Sequence, residues 1–466
     1  MSNKYDNAKK IYKPTWESLD GHKSPDWFND AKFGIFIHWG VYSVPGYAPK
    51  VDPGELWEKV KAGQMRQEEA SAMNPYAEWY WDNMKYKNGP TWKYHREHYG
   101  KDFKYDDFIP MFKAEKWNPE EWVNLFKEIG AKYVVLTSKH CDGFSLWPSK
   151  YNPRNAGDMG PHRDLVGDLT RAVRAQNLKM GLYYDYGWGP GGTESWARYQ
   201  FPLKWDEVDY VHKLFKELVD RYNPDIYWDD SSAVSSDRFK SKELIAYYLN
   251  HAKDPAKVTI NDRCGSDCRH KHGDFWTPEY KKKFTLVKHK WELCRGIGTS
   301  FGYNRIEGEK DYMSTGSLIK LLVDVVSKNG NLLLDIGPMA DGTIPEIQVR
   351  RLRGIGDWLK VNNEAIYGAS PWVTAEETTL EGINVRFTRK ESNLYVMLLE
   401  KPEEKITLKL LQVQRGATIK VLGSDKKLKW EQKENNLIIE LPSELPGAQV
   451  YTLKITPEPW KLVKSA

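Results

Sequence analysis

The sequence predicts an α/β fold: a (β/α)8-like barrel of the TIM type over residues 1–370, followed by an all-β sandwich over residues 371–466. Short apolar runs alternate with amphipathic helical patterns along the first two-thirds of the 466 residues. Several of these runs end in His, Asp or Arg. After residue 370 the apolar residues alternate with polar ones instead. Strand–helix alternation indicates a parallel sheet, whereas a period of two indicates half-buried antiparallel strands.

Six runs have the length and apolar content of buried strands. They are residues 34–38, 133–140, 179–184, 225–230, 258–263 and 331–336. The helical pattern is clearest at residues 118–129, where Asn118 can cap the helix and Pro119 suits its first position. The same periodicity occurs at residues 164–177, 204–222, 241–252 and 346–361. We therefore expect a strand followed by a helix as the repeating unit.

The residues that end these runs favour a closed barrel over an open sheet. His38, His140, Asp230 and Arg263 each end an apolar run. In a barrel the carboxyl ends of all strands converge on one site, whereas in a doubly wound sheet only the strands beside the switch point do so. We expect these four side chains to surround a single site.

Residues 371–466 carry the period-two pattern and contain neither His nor Cys. Ile383, Val385 and Phe387 alternate with polar residues, and so do the runs at 406–410 and 450–455. Gly and Asn turns separate the runs. This pattern predicts a small β-sandwich, and the chemistry is expected in the barrel.

Composition excludes several classes of protein. The chain has 69 Lys and Arg and 64 Asp and Glu, so its net charge is +5, which argues against a dedicated nucleic-acid or membrane-surface protein. A mean hydropathy of −0.69 argues against an integral membrane protein. Four Cys in so long a chain do not form a disulfide framework, and no secretory signal is visible. We expect a cytoplasmic protein without nucleic-acid or membrane partners, and homo-oligomer formation is left open.

The unusual feature of the composition is its aromatic content, which includes 20 Trp, 27 Tyr and 15 Phe. Aromatic faces can pack on the apolar faces of sugars while their polar groups find partners. Several Trp lie in or beside the polar strand ends and loops: Trp39, Trp79, Trp81, Trp188, Trp228 and Trp276. Each alone fits a core position, but together they predict a carbohydrate cleft.

Two places in the sequence offer candidates for a pair of catalytic carboxylates. Asp229 and Asp230 end one strand-like run, and because side chains alternate along a strand only one of them points into the barrel. Glu279 lies in an aromatic loop at residues 273–280. A glycosidase needs one carboxylate as nucleophile or base and one carboxylic acid as proton donor. A helix cap at either Asp and a surface position for Glu279 are the alternative interpretations.

Three other motifs fit their consensus poorly. The set Cys264, Cys268, His270 and His272 departs from the spacing of structural zinc sites. Residues 187–192 match GxGxxG, but no helical pattern opens there, as a dinucleotide site would require. Residues 298–302 match GxSxG without the strand and helix of a nucleophile elbow. We expect no metal and no cofactor.

The chain resembles the α-L-fucosidases of glycoside hydrolase family 29 over about residues 25–370. Many motifs in the same order carry this resemblance, so it is more specific than any single motif. They include Trp27-Phe-Asn-Asp-Ala-Lys-Phe-Gly-Ile-Phe-Ile-His-Trp-Gly40, Glu78-Trp-Tyr80, Lys139-His-Cys-Asp-Gly-Phe144, Pro224-Asp-Ile-Tyr-Trp-Asp-Asp230, Asn261-Asp-Arg263 and Gly330-Asn-Leu-Leu-Leu-Asp-Ile-Gly-Pro338. The resemblance implies a (β/α)-type barrel with a C-terminal β-sandwich.

The resemblance also implies an exo-acting, retaining hydrolysis of terminal α-L-fucosides on oligosaccharides or glycoconjugates. The nucleophile would be Asp230, which would form a covalent glycosyl-enzyme, and the general acid/base would be Glu279. The remaining sugar-site positions implied by the family are His38, Glu78, Trp79, His140, Cys141, Tyr184, Trp228, Arg263 and Phe301.

Two residues depart from the family pattern. Cys141 stands where the family usually has a second His, and Asp185 follows the Tyr pair where the family usually has Ser. We expect both positions to border the sugar site. Since a thiol is a poor substitute for an imidazole donor, recognition of the sugar hydroxyls is expected to be weakened, re-routed or directed to a related sugar. Three alternatives stay open: a glycosidase for a related sugar such as a galactoside, a non-catalytic carbohydrate-binding protein and a metal-dependent hydrolase.

Overall fold

The computed structural model describes residues 11–186, 207–232, 234–447 and 449–462. The GxGxxG match at residues 187–192, Trp188 and the first residues of the helical pattern at 204–222 lie outside these ranges.

A parallel sheet forms the core of the first part of the chain. Its strands are β1 (Phe33–Ile37), β2 (Tyr133–Lys139), β3 (Lys179–Tyr184), β4 (Ile226–Asp229), β5 (Thr259–Ile260), β6 (Trp291–Gly296) and β7 (Gly330–Ile336). They lie in the order β5-β4-β3-β2-β1-β7-β6. Both faces of the central strands are buried, which explains their nearly continuous apolar sequences.

An irregular segment, residues 274–280, closes this sheet between β5 and β6. Phe275 bridges Asn261 after β5 in parallel, while Trp276 bridges Trp291 in β6. Hydrogen bonds run on both sides of the segment, from Asp274 N to Ile260 O (2.8 Å) and from Glu292 N to Trp276 O (2.7 Å). The α/β prediction is therefore confirmed, with seven regular parallel strands among the described residues and this segment in the eighth position.

Helices follow most of the strands and cover the barrel. The α-helices are α1 (Trp16–Leu19), α2 (Asp26–Ala31), α3 (Pro53–Lys61), α4 (Gln67–Ala72), α5 (Tyr80–Asn83), α6 (Pro90–His98), α7 (Pro119–Glu128), α8 (Leu165–Ala175), α9 (Glu207–Tyr222), α10 (Ser241–His251), α11 (Thr315–Ser327) and α12 (Glu346–Asn362). Short 3-10 helices lie at Val41–Ser43, Ala77–Trp79, Tyr105–Met111, Pro255–Lys257 and Asn363–Ala365.

Local sequence explains how α7 begins and which side of it is buried. The Asn118 side chain accepts hydrogen bonds from the backbone N–H groups of Glu120 and Glu121 at the helix start, as an N-cap residue should. Trp122 and Phe126 are buried, one turn apart. Within the described residues, no helix is long and apolar enough to cross a membrane.

Antiparallel sheets form the C-terminal part of the chain. Their strands are β8 (Ser370–Thr378), β9 (Asn384–Lys390), β10 (Asn393–Leu398), β11 (Lys405–Leu408), β12 (Leu411–Gln412), β13 (Thr418–Val421), β14 (Trp430–Lys433), β15 (Asn436–Glu440), β16 (Tyr451–Thr456) and β17 (Trp460–Lys461). The orders are β13-β16-β10-β9-β8, β11-β15-β14 and β12-β17. Arg386 of β9 pairs with Asp324 of α11, and Lys328 contacts both Asp324 and Glu376 at 2.8 Å. These ion pairs join the sheets to the barrel.

Candidate active site

A cavity of about 200 Å³ opens at the carboxyl ends of the barrel strands. All the site residues predicted from the sequence except Cys141 and Tyr184 line it. They are His38, Glu78, Trp79, His140, Trp228, Asp230, Arg263, Glu279 and Phe301. Trp57, Tyr76 and Tyr183 line it as well and were not predicted from the sequence.

The structure distinguishes Asp229 from Asp230. Asp229 is fully buried and accepts hydrogen bonds from the hydroxyls of Tyr186 (2.8 Å) and Tyr227 (2.6 Å), on the helix side of the sheet. Burial raises the pKa of Asp229 to about 7. The side chain of Asp230 lines the cavity and is 26% exposed. Since neighbouring strand residues point to opposite faces, Asp230 is the carboxylate available to a ligand.

Arg263 joins the two carboxylates that line the cavity. One terminal nitrogen donates to Asp230 Oδ1 at 2.8 Å, and the other donates to Glu279 Oε2 at 2.9 Å. The guanidinium lies over the Trp228 ring, 4.7 Å from its centroid, and its Nε donates to Thr277 Oγ1 at 2.9 Å. A planar, charged group held on three sides fixes both carboxylates relative to each other.

Glu279 reaches the cavity because the segment 274–280 takes the eighth position of the barrel. Its backbone bridges Cys294 of β6 in parallel. The Tyr76 hydroxyl donates to Glu279 Oε1 at 2.8 Å. Tyr76 precedes a short 3-10 helix in a loop without periodicity, so no sequence pattern pointed to it.

His38 is fixed from behind by an acid on the neighbouring strand. Its Nδ1 lies 2.6 Å from Asp335 Oδ1 of β7, and both side chains are buried. Burial lowers the pKa of His38 and raises that of Asp335, because it disfavours the charged form of each. The His38 ring stacks on Phe301 with 4.8 Å between centroids. Its Nε2 is left as the polar atom for a ligand.

His140 and Glu78 complete the polar side of the cavity. The Cys141 thiol contacts His140 Nδ1 at 3.1 Å, and the His140 ring stacks on Tyr183 at 5.6 Å. The Gly302 N–H donates to Glu78 Oε2 at 2.8 Å. Burial lowers the pKa of His140 to about 3 and raises that of Glu78 to about 8. Uncharged donors and acceptors of this kind suit a neutral, hydroxylated ligand.

The structure contradicts the prediction that Tyr184 lines the site. The Tyr184 hydroxyl donates to Val211 O of α9 at 3.1 Å, so its ring packs among the helices. Tyr183, one residue earlier in β3, points into the barrel instead and donates to Asp230 Oδ2 at 3.1 Å. The error was one residue along a strand, which moves a side chain to the opposite face.

Cys141 also does not line the cavity. It is buried behind the His140 ring, on the side of Nδ1. Asp185 lies on the same side, since potential ligand atoms of His140, Cys141 and Asp185 are within 4.8 Å of one another. Both departures from the family pattern therefore lie behind the cavity wall, next to His140.

The Trp residues expected around the cleft divide into two groups. Trp79 and Trp228 line the cavity. Trp39 is buried with its Nε1 donating to Met339 O at 2.9 Å, Trp81 stacks on Tyr105, and Trp276 stacks on His289. These three contribute to packing rather than to the cleft.

Two of the three weak motifs lie within the described residues, and there they do not form the sites that their consensus would suggest. His272 stacks on Trp16 at 3.8 Å, while Cys264 and Cys268 are buried. Some groups of side chains among the described residues could hold a metal ion, but none of these groups contains Cys264, Cys268 or His272. In the GxSxG match, Ser300 Oγ donates to Gly302 O and accepts from the Ala77 N–H, so it supports the loop that holds Glu78.

Comparisons with known proteins show which family the chain is similar to. The model of the family described as Alpha-L-fucosidase matches residues 1–364, and that of its C-terminal domain matches residues 378–456. The Alpha-L-fucosidase of Dictyostelium discoideum is 34% identical over 96% of this chain and 95% of its own length. The Plasma alpha-L-fucosidase of Homo sapiens is 36% identical over 96% of this chain and 92% of its own length.

Solved structures are similar over nearly the whole chain. The crystal structure of Thermotoga maritima alpha-fucosidase is 43% identical, with a TM-score of 0.81 over 95% of this chain and 99% of that one. A structure of that enzyme in complex with fucose is 42% identical, with a TM-score of 0.82 over 96% of this chain and all of that one (100%).

Proposed function

The chain belongs to the α-L-fucosidase family of glycoside hydrolases, and on that premise we propose that it releases terminal L-fucose with retention of configuration, using Asp230 as nucleophile and Glu279 as acid/base. The observation that carries this proposal is the placement of both carboxylates on one guanidinium, that of Arg263. Retaining enzymes need carboxyl groups about 5–5.5 Å apart, whereas inverting enzymes leave space for a water between them.

The proposed reaction has two steps. First, an oxygen of Asp230 forms a bond to the anomeric carbon while the bond to the leaving oxygen breaks and Glu279 gives that oxygen its proton. Water then attacks the anomeric carbon, its proton passes to Glu279, and the ester bond to Asp230 breaks. Both residues return to their starting states.

The walls of the cavity support L-fucose as the sugar. His38, His140 and Glu78 offer uncharged polar groups to the ring hydroxyls, in keeping with their shifted pKa values. Phe36 and Phe301 line the cavity with apolar rings, a suitable surface for the methyl group at C6. The substrate is accordingly proposed to be a fucosylated oligosaccharide or glycoconjugate.

Replacement of Tyr183 should lower the rate of hydrolysis, whereas replacement of its neighbour Tyr184 should leave it nearly unchanged. Tyr183→Phe removes the hydrogen bond to Asp230, and because a bond to a charged group contributes about 1.5–3 kcal/mol, kcat/KM should fall about 10- to 100-fold. Tyr184→Phe removes only a bond to Val211 O, so kcat/KM should stay within about twofold. Steady-state hydrolysis of an aryl α-L-fucoside measures both. A larger loss in Tyr184→Phe would contradict the assigned strand faces.

The burial of Glu78 should make stability depend on pH. Its pKa is about 8 in the folded chain against an ordinary 4.5, so between these values the folded state holds a proton that the unfolded state has released. Stability therefore falls as pH rises through this window. Glu78→Gln removes this pH dependence. Its free energy of unfolding should therefore rise by about 3 kcal/mol relative to that of wild type between pH 5 and pH 8.

Urea unfolding of wild type and Glu78→Gln at both pH values measures the difference. Glu58→Gln, which removes an exposed carboxylate nearby in sequence, serves as the matched control. If the free energies of unfolding of Glu78→Gln and wild type instead differ by the same amount at pH 5 and pH 8, the prediction is contradicted. That result would show that Glu78 is ionised in the folded protein.

The stereochemical course tests the proposed function. Proton NMR of the first turnovers of an aryl α-L-fucoside should show the α anomer of L-fucose before mutarotation. An initial β anomer would mean inversion and would overturn the covalent mechanism. Aryl galactosides, assayed in parallel, should be hydrolysed at least about tenfold more slowly, since their extra hydroxyl meets the apolar wall.

A further inference from the structure

The polar wall of the cavity also has the composition of a metal site. His38, Glu78 and His140 each present one potential ligand atom, and these atoms all lie within 4.8 Å of one another. All three residues line the cavity, and all are at least nine-tenths buried. Two imidazoles and a carboxylate that converge on a partly enclosed space are a donor set suited to zinc.

Each of these residues is held in place by a partner outside the cavity. Asp335 binds Nδ1 of His38 at 2.6 Å, and the Gly302 N–H binds one carboxylate oxygen of Glu78 at 2.8 Å. The Cys141 thiol occupies Nδ1 of His140 at 3.1 Å. This leaves the Nε2 atoms of both histidines and the second oxygen of Glu78 for a ligand. A carboxylate behind a histidine is also the arrangement that orients metal-bound imidazoles in known sites.

We propose that His38, Glu78 and His140 bind Zn²⁺ reversibly in the place of the sugar, so that zinc is a competitive inhibitor of this enzyme. The ion would be held by three protein atoms, would displace the proton of Glu78 into solvent and would complete its coordination with water on the cavity side. Hydrolysis itself needs no metal in the proposed reaction. The inhibition would therefore be a property of the empty sugar site and would end when substrate fills it.

A second group of potential ligands lies behind the same imidazole. His140, Cys141 and Asp185 also have ligand atoms within 4.8 Å of one another. Cys141 and Asp185 do not line the cavity, so an ion would have to pass the His140 ring to reach them. The group that faces the cavity is the accessible one, and the experiment below distinguishes the two.

Calorimetric titration of the chelator-treated protein with Zn²⁺ tests the proposal without relying on turnover. We expect one Zn²⁺ ion to bind per chain. Glu78→Gln should weaken this binding at least about tenfold, since loss of even an outer partner of a ligand lowers metal affinity about 10- to 100-fold. Trp57→Phe, which changes another wall of the same cavity without removing a donor atom, should keep the zinc affinity. Excess L-fucose should abolish binding, and zinc should raise KM for an aryl fucoside at constant kcat.

Cobalt provides the spectroscopic check, because Co²⁺ bound to a thiolate gives a charge-transfer band that Co²⁺ bound to imidazole and carboxylate lacks. The proposal expects a Co²⁺ spectrum without that band. A thiolate band would place the ion at Cys141 and overturn the proposal. The absence of zinc binding would also overturn the proposal. Zinc binding that neither fucose nor Glu78→Gln weakens would overturn it as well. Because binding is measured directly, these results are independent of whether hydrolysis retains or inverts configuration.

Discussion

Asp230→Ala should lower kcat for an aryl α-L-fucoside by at least about 10⁴-fold, as expected for loss of a nucleophile. The side chain of Asp230 lines the cavity, and both of its oxygens accept hydrogen bonds, from Arg263 and from Tyr183. Its chain neighbour Asp229 cannot replace it, because Asp229 is fully buried and accepts hydrogen bonds from Tyr186 and Tyr227 on the other side of the strand. Steady-state kinetics with an aryl fucoside measures the loss.

Two further measurements make this result specific. The thermal unfolding of Asp230→Ala should remain cooperative, which shows that the barrel still folds. Added azide should restore turnover in this variant and yield the β-configured fucosyl azide, because a small anion can enter the space left by the carboxylate. Turnover at the wild-type rate, or rescue that yields the α azide, would contradict the assignment of Asp230 as nucleophile.

Glu279→Gln should have an effect that depends on the leaving group. General acid catalysis contributes about 10²- to 10⁴-fold, and it matters most for sugar leaving groups, which need a proton. We therefore expect kcat/KM for a fucosylated disaccharide to fall about 10³-fold. For an aryl fucoside with an acidic phenol, the first step should be little changed.

The matched variant Tyr76→Phe keeps Glu279 and removes only the hydroxyl that donates to it. It should lower kcat/KM for the disaccharide by up to about tenfold, the cost of one lost hydrogen bond. Equal losses for both substrates in Glu279→Gln would contradict its role as the acid and would direct the search to another carboxyl at the cavity.

Much of the fold followed from sequence because burial on both faces leaves long apolar runs. The strands β1, β2, β3 and β7 are of this kind. The strand β6 was missed, since its sequence Trp-Glu-Leu-Cys-Arg-Gly contains charged residues. Its Glu292 is buried because Trp228 Nε1 donates to it at 2.9 Å and the Tyr133 hydroxyl binds its second oxygen. A buried charged residue of this kind interrupts the apolar run, so the hydrophobic pattern does not predict the strand.

The site was predictable where a residue type ends a strand and unpredictable where a contact depends on the fold. His38, Asp230 and Arg263 were found from strand ends, and their convergence follows from barrel geometry. Which of two adjacent residues points inward depends on the register of the strand, and for this reason Tyr184 was chosen where Tyr183 lies. Tyr76 contacts Glu279 across 203 positions of sequence, and no local pattern reports such a contact.

The most direct test of the covalent mechanism is to trap the fucosyl-enzyme with 2-fluoro-fucosyl fluoride and to locate the modification by peptide mass spectrometry. The electron-withdrawing fluorine slows both steps, and the reactive leaving group allows the first to proceed. We predict one 2-fluorofucosyl group per chain, attached to Asp230 and absent from Asp230→Ala. An adduct on Glu279 or Asp229, or inactivation without any covalent adduct, would contradict the mechanism.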